Sequence, residues 1–240
     1  KPGKLTIATG QPAYEPWVMN DKPESGEGYE AAVAYAVADK LGFKKSDVVW
    51  TRTAFDTAIA PGAKDWDFNI QQFGITDERK KAVDFSSSYY NDSQSVVVKK
   101  DSKFANATKV SDLKDATVGV MVGTLAYDYA KANIKDDIQT FNDDAALAQA
   151  LDAGQIDALV TSTVECVYMV QSEQVKDAKV LGRLPDSEDK SGMGIVLPKD
   201  SKLTAAVTKA VDDLNADGTI KKLQDKWLAE YTTDLTELKK

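Results

Sequence analysis

The feature that most constrains this 240-residue chain is a strand, helix, strand, helix, strand rhythm that runs once, stops and begins again. "KLTIATG" alternates as a strand does and ends at a glycine, and the two prolines of "QPAYEPW" force an extended loop. "GYEAAVAYAVADKLG" then predicts a helix with Val33, Val37 and Leu41 on one face, Lys40 in its last turn and Gly42 as its stop. "DVVWTRT" reads as a second strand, and Asp56 is expected to cap a short helix that ends before Pro61 and Gly62. "FNIQQF" reads as a third strand.

The rhythm restarts at "ATVGVMVG", a strand leading into Thr124 as the N-cap of "LAYDYAKAN". "NDDAALAQALDAG" follows as a capped helix stopped by Gly154, then "QIDALVTS" as a strand and "TVECVYMVQ" as a helix. Alternation of this kind implies a mostly parallel sheet covered by helices, with loops at the carboxyl ends of the strands as the binding edge. Later, "MGIVLPK" reads as a strand. Two amphipathic helices separated near Gly218 come after it, with Leu203, Val207, Val211 and Leu214 in one stripe and Ile220, Leu223, Trp227 and Leu228 as further core.

Composition narrows the function more than the fold. The formal charge is −8 and the lysines are scattered among acids, which argues against nucleic acid as a partner. The apolar runs fall short of the roughly 20 residues a bilayer span needs. There is no histidine, which removes the usual general base, the commonest metal ligand and the Ser/His and Cys/His pairs together. Cys166 is the only cysteine and sits among Val164, Val167 and Met169, so it reads as a small buried residue. No cofactor and no metal is expected, and neither nucleotide-binding glycine motif is present.

One stretch asks for a ligand. In "DFNIQQFGITDERKKAVDFSSSYY", Asp67 to Tyr90, a helix starts at Thr76 with Asp77 and Glu78 in its first turn, where acidic groups suit the dipole. Arg79 then places a cation where the dipole opposes it, as a site for an anion would. Pairing of Arg79 with Asp77 or Glu78 on the surface is the plain alternative.

Together, "LTIATG", "AYEPW", "GEGYEAAVAYAVADKLG", "ITDERKKAVDFSSSYY", "VGVMVGT", "AGQIDALVTS" and "ADGTIKKLQDKWL" resemble, in order and spacing, the family 3 solute-binding proteins of polar amino-acid ABC importers. The resemblance implies a two-lobed α/β periplasmic-binding-protein type II fold. Lobe one holds residues 1–92 and 191–240 and lobe two residues 93–190, with crossings near Ser93 to Val97 and Leu184 to Ser191. It implies binding without catalysis, closure of the lobes on an amino-acid-like small molecule, and delivery by a monomer to an ABC permease. It also implies a periplasmic or extracellular place, with any lipid anchor upstream of Lys1. The absence of an initiator Met and of a signal-like segment fits a mature chain.

The same resemblance assigns Arg79 to a bidentate pair with the ligand's α-carboxylate, and Tyr14 and Phe55 to aromatic walls against its side chain. Thr124 would add a hydroxyl and nearby amides. Leu125 departs from the family, which often repeats a hydroxyl there, and Gln71, Gln72 and Gly74 stand where small residues and a serine are usual. Gln71 and Gln72, at alternate strand positions, are expected to face opposite ways. The acid that usually pairs with the ligand's ammonium is Ser162 here, leaving Glu165 or Glu15 as substitutes, or a ligand whose amine is absent or differently placed. Two other readings remain: a cyclohexadienyl or arogenate dehydratase-like enzyme with Glu165 as the acid, and the sensing domain of a receptor.

Overall fold

The computed structural model describes residues 3–232 and 235–240. The chain runs β1 (Leu5–Thr9), α1 (Tyr29–Lys40), β2 (Val48–Arg52), α2 (Phe55–Ile59), β3 (Phe68–Asn69), α3 (Asp77–Lys80), β4 (Val83–Tyr90) and β5 (Gln94–Lys99). It continues through β6 (Val118–Met121), α4 (Leu125–Asn133), β7 (Gln139–Phe141), α5 (Asp144–Asp152), β8 (Ala158–Ser162), α6 (Thr163–Gln171) and β9 (Ala178–Arg183). It closes with β10 (Met193–Pro198), α7 (Thr204–Ala216) and α8 (Thr219–Trp227). No helix among the described residues is long and apolar enough to cross a membrane.

Two compact units result. Unit one is Lys1–Asn91 with Lys190–Ala229, and unit two is Asp92–Asp189 with Glu230–Lys240. Each has a five-stranded sheet, in the order β2-β1-β3-β10-β4 and β7-β6-β8-β5-β9 respectively. The sheets are mostly parallel, as the βαβ rhythm predicts, but each contains one reversed strand. In unit one β10 is antiparallel to both β3 and β4, and in unit two β5 is antiparallel to both β8 and β9. In both cases the reversed strand is the first one formed after the chain enters the unit from the other.

Local chemistry explains half of the α-helix starts. Thr76, Thr124, Asp143 and Ser162 each accept, on a side-chain oxygen, an amide from the first turn of α3, α4, α5 and α6. The start of α2 departs from expectation: its N-cap is Ala54, and Asp56 lies inside the first turn, its carboxylate accepting the Thr57 amide at 2.7 Å. The third strand is also shorter than "FNIQQF" suggests. It stops at Asn69, and Gln72 adopts a left-handed backbone with φ of 49° that no strand allows.

Apolar burial follows the predicted stripes. Val207, Val211 and Leu214 of α7 are buried, as are Ile220 and Leu228, while Leu203, Leu223 and Trp227 are half-buried. Trp17 is fully buried, and its ring meets those of Tyr29 and Tyr90. One part of the chain packs elsewhere than expected. Residues 230–240, assigned to lobe one from the sequence, belong with unit two, where Leu238 is buried in the cluster of Val110, Leu181 and Leu184. Backbone bonds hold this tail: the Arg183 amide donates to Thr236 O at 2.8 Å and the Lys239 amide to Thr108 O at 2.9 Å.

The start of α1 rests on a close backbone approach. The amides of Tyr29 and Glu30 donate to the carbonyls of Pro16 and Trp17, both at 2.9 Å, so the "YEPW" loop serves as the helix cap. Gly28 makes this possible: its φ is 98°, and a Cβ there would stand 2.5 Å from Trp17 O. Gly28→Ala is expected to lower the unfolding free energy by about 3 kcal/mol, through strain and loss of the capping carbonyls. Urea unfolding measures it, and an unchanged midpoint would contradict the packing of the loop on α1.

Candidate functional site

In unit one the site is built around α3. Thr76 Oγ1 accepts the Arg79 amide at 3.1 Å, which sets the first turn and so the root of the Arg79 side chain. The Arg79 guanidinium donates from Nη1 to Gly74 O at 2.7 Å, and its central carbon stands 5.4 Å over the Phe55 ring. Phe55 in turn lies 4.8 Å, centroid to centroid, from Phe73, at an interplanar angle of 30°. The acids beside Arg79 have partners of their own kind of exposure: Asp77 pairs with Lys80 and Glu78 with Lys81 on the surface. Gly74 bridges to Met193, and the Ile75 amide donates to Gly192 O at 2.9 Å, so the loop before α3 is tied to the head of β10.

The loop between β3 and α3 is held by a buried acid that the sequence did not single out. Glu30, in the first turn of α1, accepts the Gln72 amide on Oε1 at 2.8 Å, the Gln72 side-chain amide on Oε2 and the Tyr89 hydroxyl on Oε1. Burial pushes its carboxyl up to about 7, against the pull of these donors. Gln72 is therefore turned to Glu30 by a kinked backbone, and the strand alternation expected of Gln71 and Gln72 does not apply. Oε1 of Gln71 is buried without a hydrogen-bond partner, and so are both side-chain polar atoms of Asn69 at the end of β3. Tyr14 lies half-buried in the loop after β1, its carbonyl accepting the Val18 amide at 2.8 Å. Glu15 uses one carboxylate oxygen on the Asn20 amide at 2.8 Å.

In unit two the candidate residues gather at two helix starts. Thr124 donates its hydroxyl to Met121 O at 2.8 Å while accepting the Tyr127 amide at 3.2 Å, so its capping role fixes its rotamer. Leu125, the first residue of α4, is half-buried. Ser162 caps α6 by accepting the Glu165 amide at 3.3 Å, and its hydroxyl also faces the carboxylate of Asp92. Glu165 is itself buried in the first turn of that helix.

Asp92 is the residue that sequence reasoning missed in this unit. One oxygen accepts the Ser93 amide at 2.7 Å. The other, buried near Ser162 and the amides of Thr163 and Val164, closes no hydrogen bond of good geometry. Burial pushes this carboxyl up to about 6, the hydroxyl and amides acting the other way. Asp144, buried beside the Thr161 hydroxyl, is likewise raised to about 6. Cys166 is fully buried, with its thiol raised by burial and by the negative charges of Asp92, Asp144 and Glu165. No group of three or more Cys, Asp or Glu side chains among the described residues is arranged to hold a metal ion.

The raised acids have a consequence for stability. The folded chain holds protons on Glu30, Asp92 and Asp144 up to about pH 6 to 7, whereas ordinary carboxyls of these types, at 4.5 and 3.8, release them earlier. Within that window the folded state binds more protons, so stability falls as pH rises through it. Urea unfolding is expected to give a larger free energy at pH 5 than at pH 8. Glu30→Gln or Asp92→Asn should flatten the slope, and a flat wild-type profile would contradict the burial of these charges.

Comparison with known proteins bears on all of this. The description "Bacterial extracellular solute-binding proteins, family 3" matches residues 5–230. The L-arginine-binding protein of Pseudomonas aeruginosa is 29% identical, over 95% of this chain and 88% of that protein. The L-cystine-binding protein TcyJ of Escherichia coli is 30% identical, over 92% of this chain and 81% of that protein. Among solved structures, an ancestral arginine-binding protein bound to arginine superposes with a TM-score of 0.80 at 31% identity, covering 95% of this chain and 99% of that one.

Proposed function

We propose a function from one premise: the chain belongs to the bacterial extracellular solute-binding proteins of family 3. Its role is to capture a polar amino acid or a close derivative outside the cytoplasmic membrane and to deliver it, as a monomer, to the permease of an ABC transporter. Catalysis has no part in this role.

The observation that carries the reading is the setting of Arg79. Its guanidinium is braced by Gly74 O and the Phe55 face, while the neighbouring Asp77 and Glu78 engage Lys80 and Lys81. A planar fork held in this way suits a carboxylate, which it meets with two parallel N–H donors. The relatives named for L-arginine and for L-cystine bind molecules that share an α-carboxylate and an α-amine and differ in the side chain. The carboxylate is thus the common element that Arg79 takes.

For the amine, unit two supplies negative charge although residue 162 is a serine. Asp92 stands behind the Ser162 hydroxyl, and Glu165 lies in the same first turn. We assign Glu165, at this end of α6, the role of the acid that pairs with an amine, and Thr124 the role of a ligand-binding hydroxyl at the start of α4. Glu15 is the weaker substitute, because one of its oxygens is engaged by the Asn20 amide. Tyr14 is assigned to the ligand side chain, and Gln71, whose amide oxygen lacks a partner, to its polar end.

Micromolar capture needs about −8.2 kcal/mol, which a paired carboxylate, a buried side chain and several hydrogen bonds supply after ordering costs. Arg79→Ala is expected to weaken L-arginine, or whichever member of an amino-acid panel binds the wild type, by about 100-fold or more in calorimetry. Unchanged affinity would remove Arg79 from the site.

A further inference from the structure

The loop that carries Tyr14 leaves β1 at Gly10 and has to hold its course outside the sheet. Its exit is crowded: a Cβ at Gly10 would stand 2.7 Å from Gln71 Nε2 and 2.9 Å from Pro12 O. Beyond the exit, polar contacts run between an outgoing arm, Gly10 to Glu15, and a returning arm, Asn20 and Asp21.

Arg52 joins the two arms. It is the last residue of β2 and lies in register with Thr9, the last residue of β1, so its side chain starts beside the point where the loop departs. Nη1 donates to Gly10 O at 2.8 Å on the outgoing arm and to the Asp21 carboxylate on the returning arm, and Nη2 donates to Asp21 O at 2.7 Å. The carboxylate oxygen that meets Arg52 also accepts the Ala13 amide at 2.9 Å. Asp21 reaches both partners from a left-handed backbone, with φ of 53°, which a short polar side chain can support by local hydrogen bonding. Between these ties the Val18 amide donates to Tyr14 O at 2.8 Å, and the loop is seated on the buried Trp17.

An ordinary ion pair at a protein surface contributes little. This one differs because a planar fork reaches three acceptors at once, and two of them are backbone carbonyls, so it sets the path of the chain as well as pairing charges. Burial would raise the Asp21 carboxyl, yet the Ala13 amide and the Arg52 guanidinium hold it below the usual carboxylate range.

We propose that Arg52 is the positioning residue of the Tyr14 loop: by clamping Gly10 to Asp21 it holds Tyr14 where a ligand side chain meets it. This rests on the reading of Tyr14 as a ligand contact. It makes affinity depend on a residue of β2 that need not touch the ligand.

A double-mutant cycle on the full chain tests it, with L-arginine titrated into the millimolar range and L-cystine as a second probe. Arg52→Met is expected to weaken binding by about tenfold in the wild-type background. In the Tyr14→Ala background, where there is no ring to position, the same change should cost less than about twofold. Equal losses in both backgrounds, or no loss in either, would overturn the proposal.

A second readout needs no ligand. In Arg52→Met the Val18 amide, whose acceptor is Tyr14 O, should exchange its hydrogen about tenfold faster, while the amide of Ile7 in β1 keeps its protection. An unmoved Val18 amide would likewise overturn the proposal. Should Arg52→Met fail to fold, Arg52→Gln replaces it in both measurements. If neither probe binds the wild-type chain, or Tyr14→Ala leaves binding intact, the reading of Tyr14 fails, while hydrogen exchange still decides whether Arg52 holds the loop.

Discussion

Unit one depends on an acid placed where water cannot reach it. Glu30 ties three parts of the chain at one point: the first turn of α1 that carries it, the kink at Gln72 and the Tyr89 hydroxyl of β4. An isolated carboxylate could not stand there, and three donors together make the position tolerable. Because Gln72 receives two of those contacts, the chain leaves β3 early and approaches Gly74, Thr76 and Arg79 along a defined course. The loop that carries Gly74, Thr76 and Arg79 is thus held by a buried acid that keeps its proton well above the usual carboxylate range.

The two sheets show how a chain that passes between units leaves its mark on topology. Each sheet has four strands running one way, as successive βαβ steps require. Each also receives one strand from the chain as it enters from the other unit, and it runs the other way, next to the edge strand. The tail adds a further return, since residues 230–240 follow α8 of unit one but pack in unit two. Burial of Leu238 with Val110, Leu181 and Leu184 supplies the apolar reason for that placement.

What could be read from the sequence was what local chemistry decides. Thr76 before Asp77 and Glu78 announces α3, and the capping bond to the Arg79 amide forms as such a start requires. Thr124 was legible as a helix start for the same reason. The family was also legible, because its motifs are spread along nearly the whole chain. What could not be read lies in partners far apart in sequence. The backbone of Gln72 is turned by an acid 42 residues away, and an isolated "FNIQQF" carries no sign of it. Asp92, hidden in "YYNDSQ", gains meaning only when Ser162 is brought beside it by the pairing of β5 with β8. Asn69 offered a faint signal, as a polar residue in an apolar strand, but its neighbours had to be seen before its unpartnered amide could be noticed.

The environment of Cys166 has a practical consequence. The thiol has no exposed surface, contacts Thr161 O at 3.7 Å, and is kept protonated by nearby acids as well as by burial. Alkylating reagents act on thiolates they can reach, and this chain offers none near neutral pH. A cysteine introduced anywhere on the surface would therefore be labelled alone in the otherwise native protein, so that a fluorophore or spin probe could be attached to either unit with Cys166 left in place.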